Sequence, residues 1–121
     1  MSKKLLIVDD SSVMRMTVSS ILKETGYEVV EAENGQVALD KAKQTQVDMI
    51  ICDVNMPVMD GLTFARLIKE EASYRFVPII MLTTVTGQNE MAAGKAAGVK
   101  AWMVKPFDKT KLLGAVAKLL G

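Results

Sequence analysis

The chain has 121 residues, half of them apolar, with 15 Lys plus Arg against 14 Asp plus Glu and no histidine. That length fits one domain with one core, and the near-balanced charge leaves no electrostatic footprint for nucleic acid or an anionic membrane. Without histidine, Ser-His and Cys-His nucleophile pairs and imidazole metal ligands are excluded, so any chemistry rests on carboxylates, hydroxyls and lysines.

The first predicted strand is Leu5 to Val8, apolar throughout as in a strand covered on both faces. Asp9-Asp10 follow it too early for a secretory signal, and no apolar run approaches the roughly 20 residues of a membrane span, so the expected location is cytoplasmic. Ser11 or Ser12 can cap a first helix, whose Met14, Val18, Ile21 and Leu22 recur at helical spacing and which Gly26 can end. Glu28 to Ala32 is the second strand, and Asn34-Gly35 opens the second helix. Met49 to Cys52 is the third strand, and it runs into Asp53. Its Cys52, the only cysteine, reads as a small buried hydrophobe rather than a reactive thiol. Leu62, Ala65, Leu67 and Ile68 mark a third helix, Pro78 to Leu82 the fourth strand, and Gly98 the end of a fourth helix. Ala101 to Val104 is the fifth strand, before a last helix that Asp108 can cap and whose Leu112, Leu113, Val116 and Leu119 share one face. Five β-α repeats predict an α/β fold, a parallel sheet with right-handed crossovers and helices on both faces. The nine methionines, scattered over strands and helices, read as core filler.

In an open parallel sheet, ligands bind at the carboxyl ends of the strands. Asp9 and Asp10 follow the first strand, Asp53 the third, Thr83 and Thr84 the fourth, and Lys105-Pro106 the fifth. Alone, the Asp-Asp pair is often a helix cap, and the threonines and the lysine are uninformative. Their joint placement after different strands is what points to a site. Three acids with one lysine retain net negative charge, which a divalent cation relieves; an all-oxygen donor set suits Mg²⁺, or Mn²⁺ in its place. A metal held by carboxylates beside an ammonium and a hydroxyl is equipment for phosphoryl transfer, with Asp53 at the end of a central strand as nucleophile.

The stretches LLIVDDS, DMIICDVNMPVMDG, PIIMLTT and AWMVKPF resemble the signatures of the receiver domain of two-component response regulators, over essentially the whole chain, 1–121. Within that family the chain is most similar to single-domain chemotaxis regulators. The resemblance implies a doubly wound (βα)5 domain of flavodoxin-like strand order 2-1-3-4-5. It implies that Asp53 accepts a phosphoryl group from a phosphohistidine on a histidine kinase, and that Asp9, Asp10, Asp53 and the Asn55 carbonyl bind Mg²⁺. Thr83 would be the switch hydroxyl, Lys105 would pair with a phosphoryl oxygen, and the Lys105-Pro106 bond would be cis. Pro57 would stiffen the loop after the acceptor, Gly61 would permit unusual dihedrals there, and Asp60 would cap the third helix.

Trp102 stands where the family usually has Tyr or Phe, as a switch residue or an anchor on an interaction surface; Thr84 lies in the same switch region. Val85 stands where the chemotaxis type often has an acid. The expected output is binding of a protein target, with the flagellar motor switch as the candidate, on the face of the fourth helix, fifth strand and fifth helix, which carries Gln88, Asn89, Ala92, Lys95, Trp102, Lys109 and Lys111. A monomer is expected, with neither nucleic acid nor membrane as partner, and a signalling protein rather than an enzyme. The alternatives are a phosphorelay intermediate or phosphate sink without a motor target, and, remotely, an aspartyl-phosphate phosphohydrolase. Asn55 argues against the last, since such enzymes usually need an acid at that place.

Overall fold

The computed structural model describes residues 2–121. Strands β1 (Lys4–Val8), β2 (Glu28–Ala32), β3 (Met49–Cys52), β4 (Ile79–Thr83) and β5 (Ala101–Val104) alternate with helices α1 (Ser12–Glu24), α2 (Gly35–Gln44), α3 (Gly61–Ile68), α4 (Gln88–Ala96) and α5 (Lys109–Leu120). A single 3-10 turn, Ala72–Tyr74, precedes β4. The strands form one parallel sheet in the order β2-β1-β3-β4-β5, in register Leu6 with Val30 and Ile50, Ile50 with Ile79, and Met81 with Trp102. Strand order therefore reverses between β1 and β3, which places a ligand crevice above their carboxyl ends.

Strand pleat sends alternate residues to opposite layers. Leu5, Ile7, Met49, Ile51, Ile80 and Leu82 pack with Val18 and Leu22 of α1 and Leu112 and Val116 of α5. Leu6, Val8, Ile50, Cys52, Ile79 and Met81 pack with Ala38 and Leu39 of α2 and Phe64, Ala65 and Ile68 of α3. β3 and β4 are buried at every position, whereas the edge strand β5 is only half-buried and leaves Val104 45% exposed.

Short polar side chains start α1, α2, α3 and α5, each accepting orphan backbone N–H groups, whereas α4 follows Gly87 without a side-chain cap. Ser11 accepts from Met14, Asn34 from Val37, Asp60 from Thr63, and Asp108 from Thr110 and Lys111. Gly26 and Gly98, past the ends of α1 and α4, have φ of 96° and 94°, the left-handed region that a Cβ disfavours.

Two expectations need correction. Not every methionine fills the core: Met49 and Met81 are fully buried, but Met16 is 66% and Met91 41% exposed, because they fall on the outer faces of α1 and α4. Gly61 has no unusual dihedral; the residue with positive φ in its loop is Val58, at 71°. Glycine is required at position 61 for space, since a Cβ there would collide with the backbone carbonyl oxygen of Asp53.

Candidate functional site

The site is built from the first residues beyond β1, β3 and the edge strand β5. Asp9 follows β1 and is 3% exposed, and Asp53 follows β3 and is 9% exposed. Asp10, next to Asp9, faces solvent, and carboxylate oxygens of all three acids lie within 4.8 Å of one another. Lys105 reaches in from the end of β5: its Nζ donates to Asp9 Oδ2 at 2.7 Å and to Asp53 Oδ2 at 3.0 Å. The other oxygens are held by backbone donors, Ser11 N to Asp9 Oδ1 at 2.9 Å and Val54 N to Asp53 Oδ1 at 2.7 Å. Both carboxylates are thus oriented before any ligand arrives.

Burial pushes the Asp9 carboxyl above its ordinary value, and its hydrogen bonds from Lys105 and Ser11 only partly offset that. Burial also opposes the Lys105 charge, but the bonds to Asp9 and Asp53 and their attraction outweigh it, so the ammonium is held above its usual value. One ammonium faces three acids. The remaining negative charge and the all-oxygen donor set fit a hard divalent cation such as Mg²⁺.

Thr83, the last residue of β4, is fully buried, and its Oγ1 accepts from the Val85 amide at 3.2 Å; Thr84 points to the exterior. Asn55 is exposed two residues past Asp53 in the loop that ends at the Asp60 cap. The Lys105-Pro106 bond is cis. Val85 is half-buried and packs against the layer under α2 and α3, and Trp102 joins the same layer. On the α4, β5 and α5 face, Gln88, Asn89, Ala92, Lys95, Lys109 and Lys111 are exposed.

Sequence reasoning missed Arg15, whose Nη1 donates to the Asp9 carbonyl at 2.6 Å while its Nε stands 3.6 Å from Glu31 Oε1. It braces the β1–α1 loop that carries two of the acids. Only its place one turn into the helix after Asp9-Asp10 could have signalled it.

The fold and this constellation define a phosphoacceptor receiver. The family model of the response regulator receiver domain matches residues 5–117, and the chain belongs to that family. It is similar to the chemotaxis protein CheY of Bacillus subtilis, 41% identical over 122 residues that cover 99% of each chain. Among solved structures it is similar to chemotaxis protein CheY4 of Vibrio cholerae, with a TM-score of 0.94 and 44% identity over 98% of this chain and 99% of that one. The receiver domain of the sensor histidine kinase PA1611 of Pseudomonas aeruginosa, with a magnesium ion coordinated in the active site cleft, matches at a TM-score of 0.92 and 29% identity over 100% and 99% of the two chains. Receivers of this type are signalling proteins, phosphorylated by histidine kinases and read out by protein targets. Among the described residues no helix is long and apolar enough to cross a membrane.

Proposed function

We propose that this chain is a Mg²⁺-dependent switch in chemotaxis signalling, that residues 1–121 act as one receiver domain, and that Asp53 is the phosphoacceptor. The observation that carries the reading is the Asp53 carboxylate at the end of central β3, held by the Val54 amide and by the same Lys105 ammonium that holds Asp9. Asp9, Asp10, Asp53 and the Asn55 carbonyl would hold the cation, which when bound supplies charge neutralisation for phosphoryl oxygens.

The protein groups divide the remaining work. A carboxylate oxygen of Asp53 attacks the phosphorus of a phosphohistidine, the phosphorus–nitrogen bond breaks, and the imidazole of the donor leaves with the electron pair and takes up a proton. Lys105 turns from bridging two carboxylates to pairing with a phosphoryl oxygen, a bond made stronger by the low local dielectric. Thr83 keeps its hydroxyl proton free, because its oxygen accepts from Val85, so it can donate that proton to another phosphoryl oxygen. The added charge, about −1.5 to −2, then changes target affinity on the face of α4, β5 and α5. The names of the relatives support a chemotaxis pathway; with that reading go a histidine kinase as donor, the flagellar motor switch as target and a monomer in the cytoplasm.

Intact-mass measurement after incubation with acetyl phosphate tests the assignment. One phosphoryl adduct is expected on the wild type with Mg²⁺, and none with EDTA or on Asp53→Asn. An adduct that survives in Asp53→Asn would overturn Asp53 as acceptor. A pull-down with Mg²⁺ and phosphodonor separates a motor regulator from a phosphate sink, since a sink captures no motor component.

A further inference from the structure

Trp102 is the chain's one tryptophan, and three contacts hold its indole beneath α4. Nε1 donates to the Val85 carbonyl at 2.8 Å. The six-membered ring lies against Gly94, where an added Cβ would stand 2.8 Å from Cζ3 and 3.3 Å from Cε3. The side chain also packs on the buried layer under α2 and α3. Val85 in turn donates its amide to Thr83 Oγ1, so the two backbone groups of one residue join the Thr83 hydroxyl to the indole.

Gly94 lies inside α4, with no positive φ that would call for glycine. A glycine there costs about 1 kcal/mol of helix stability relative to alanine. The space it leaves is filled by the indole. Rotation of Trp102 to the outside would open a void against Gly94 and leave the Val85 carbonyl without this donor.

We propose that Gly94 is the seat that holds Trp102 inward in the resting chain, so that a signal from Asp53 acts through the Val85 backbone on a ring already in place rather than by drawing one in from solvent. The indole then lines the open groove between α4 and β5, about 610 Å³, beside Met91 and Lys95 in the resting and the phosphorylated chain alike. A partner on this face reads the position of α4 and the β4–α4 loop instead of the presence or absence of an aromatic ring. The resting seat stands by itself; the signalling half rests on the phosphoacceptor reading above.

Acrylamide quenching of the single tryptophan reads the seat without metal or phosphodonor. The wild type is expected to be quenched well below free N-acetyltryptophanamide, and Gly94→Ala to rise roughly twofold with a red-shifted emission, because the methyl group and the ring cannot share the space. A double-mutant cycle on melting temperature keeps the test independent of the probe: Gly94→Ala should raise the melting temperature in a Trp102→Phe background, by its helix propensity, and fail to do so with Trp102 present. Free-like quenching of the resting wild type, or the same rise in melting temperature in both backgrounds, overturns the seat. With acetyl phosphate and Mg²⁺, quenching of the adduct-bearing wild type should change little; a large fall overturns the preset ring. If no adduct forms, the phosphoacceptor reading fails while the metal-free quenching still decides the seat.

Discussion

The two ends of the sheet handle polar groups in opposite ways. At the amino end, the Tyr74 hydroxyl accepts from Val47 N at 3.1 Å and faces the carbonyls of Ala42 at 2.6 Å and Thr45 at 3.0 Å. Nearby, the Lys69 ammonium meets the carbonyls of Tyr74, Arg75 and Val77. At the carboxyl end, three carboxylates cluster and only two of them, Asp9 and Asp53, pair with the one ammonium, and Val58 holds a backbone conformation that β-branched residues avoid. The amino end is closed and serves the fold. The carboxyl end keeps charge and strain unresolved, as the function proposed above, with its cation and phosphoryl group, requires.

The largest break of this contrast is expected from Gly61→Ala. A Cβ would strike the Asp53 carbonyl oxygen and stand 3.1 Å from Cys52 Sγ, both parts of the buried strand end that cannot yield as a surface side chain would. Urea titration should show a loss of about 3 kcal/mol or more, and whatever folds should take up less phosphoryl from acetyl phosphate. A fully stable, fully reactive Gly61→Ala would mean that the strand end is softer than its burial implies.

At the opposite end, Tyr74→Phe should cost about 2 kcal/mol, since it leaves the buried Val47 amide unpaired and removes the tie to α2. Phosphoryl uptake should stay unchanged. The same residue gives a pH signature. Burial raises the Tyr74 phenol above its ordinary value of 10.0, so the folded chain keeps the proton that the unfolded chain begins to lose there. Its contribution is therefore complete below pH 10 and lost as pH rises from about 10 towards the folded value. Wild type should lose stability in that window faster than Tyr74→Phe. Lys105, also held above its ordinary value, loses its contribution above pH 10.5 in both proteins and cancels in the difference.

Much of this was legible in the chain because it is local. Predicted strands Glu28 to Ala32, Met49 to Cys52 and Ala101 to Val104 match the observed β2, β3 and β5, and the other two agree within a residue at each end. Asn34 and Asp108 cap where the sequence opens the second and last helices, and Asp60 caps as the family resemblance implied. The approach of Asp9, Asp10 and Asp53 followed from the parallel sheet alone, since strand ends converge. What stayed hidden depends on distance in sequence. Tyr74 sits in a stretch without periodicity, and its partners are backbone groups 27 and 32 residues away. Gly61 and Gly94 carry no side chain that could advertise the Asp53 carbonyl or the Trp102 ring they accommodate. Val58 reads as an ordinary loop residue until its φ of 71° is seen.

That dihedral supplies a smaller test at the strained end. Val58 is 81% exposed, so its side chain contributes little packing to offset a left-handed backbone. Val58→Gly is expected to gain about 1 kcal/mol in urea titration, the strain relieved exceeding the entropy that glycine adds to the unfolded chain. A loss of stability instead would show that loop contacts of Val58 outweigh its backbone strain.

The smallest effect separates charge from cation. Asp10 is exposed and its carboxylate shares the cluster with Asp9 and Asp53, so removing its charge relieves repulsion that Lys105 alone does not cancel. In EDTA, Asp10→Asn should be about 0.5 kcal/mol more stable than wild type, a small figure because solvent screens an exposed charge. Added Mg²⁺ should stabilise wild type in proportion to the logarithm of its concentration above Kd, and stabilise the variant less, because one donor has lost its charge. The order of melting temperatures is therefore expected to cross between EDTA and Mg²⁺. Were the variant to stay ahead at every Mg²⁺ concentration, the three acids would be a source of strain without being a cation site, and the contrast between the two ends of the sheet would lose its functional half.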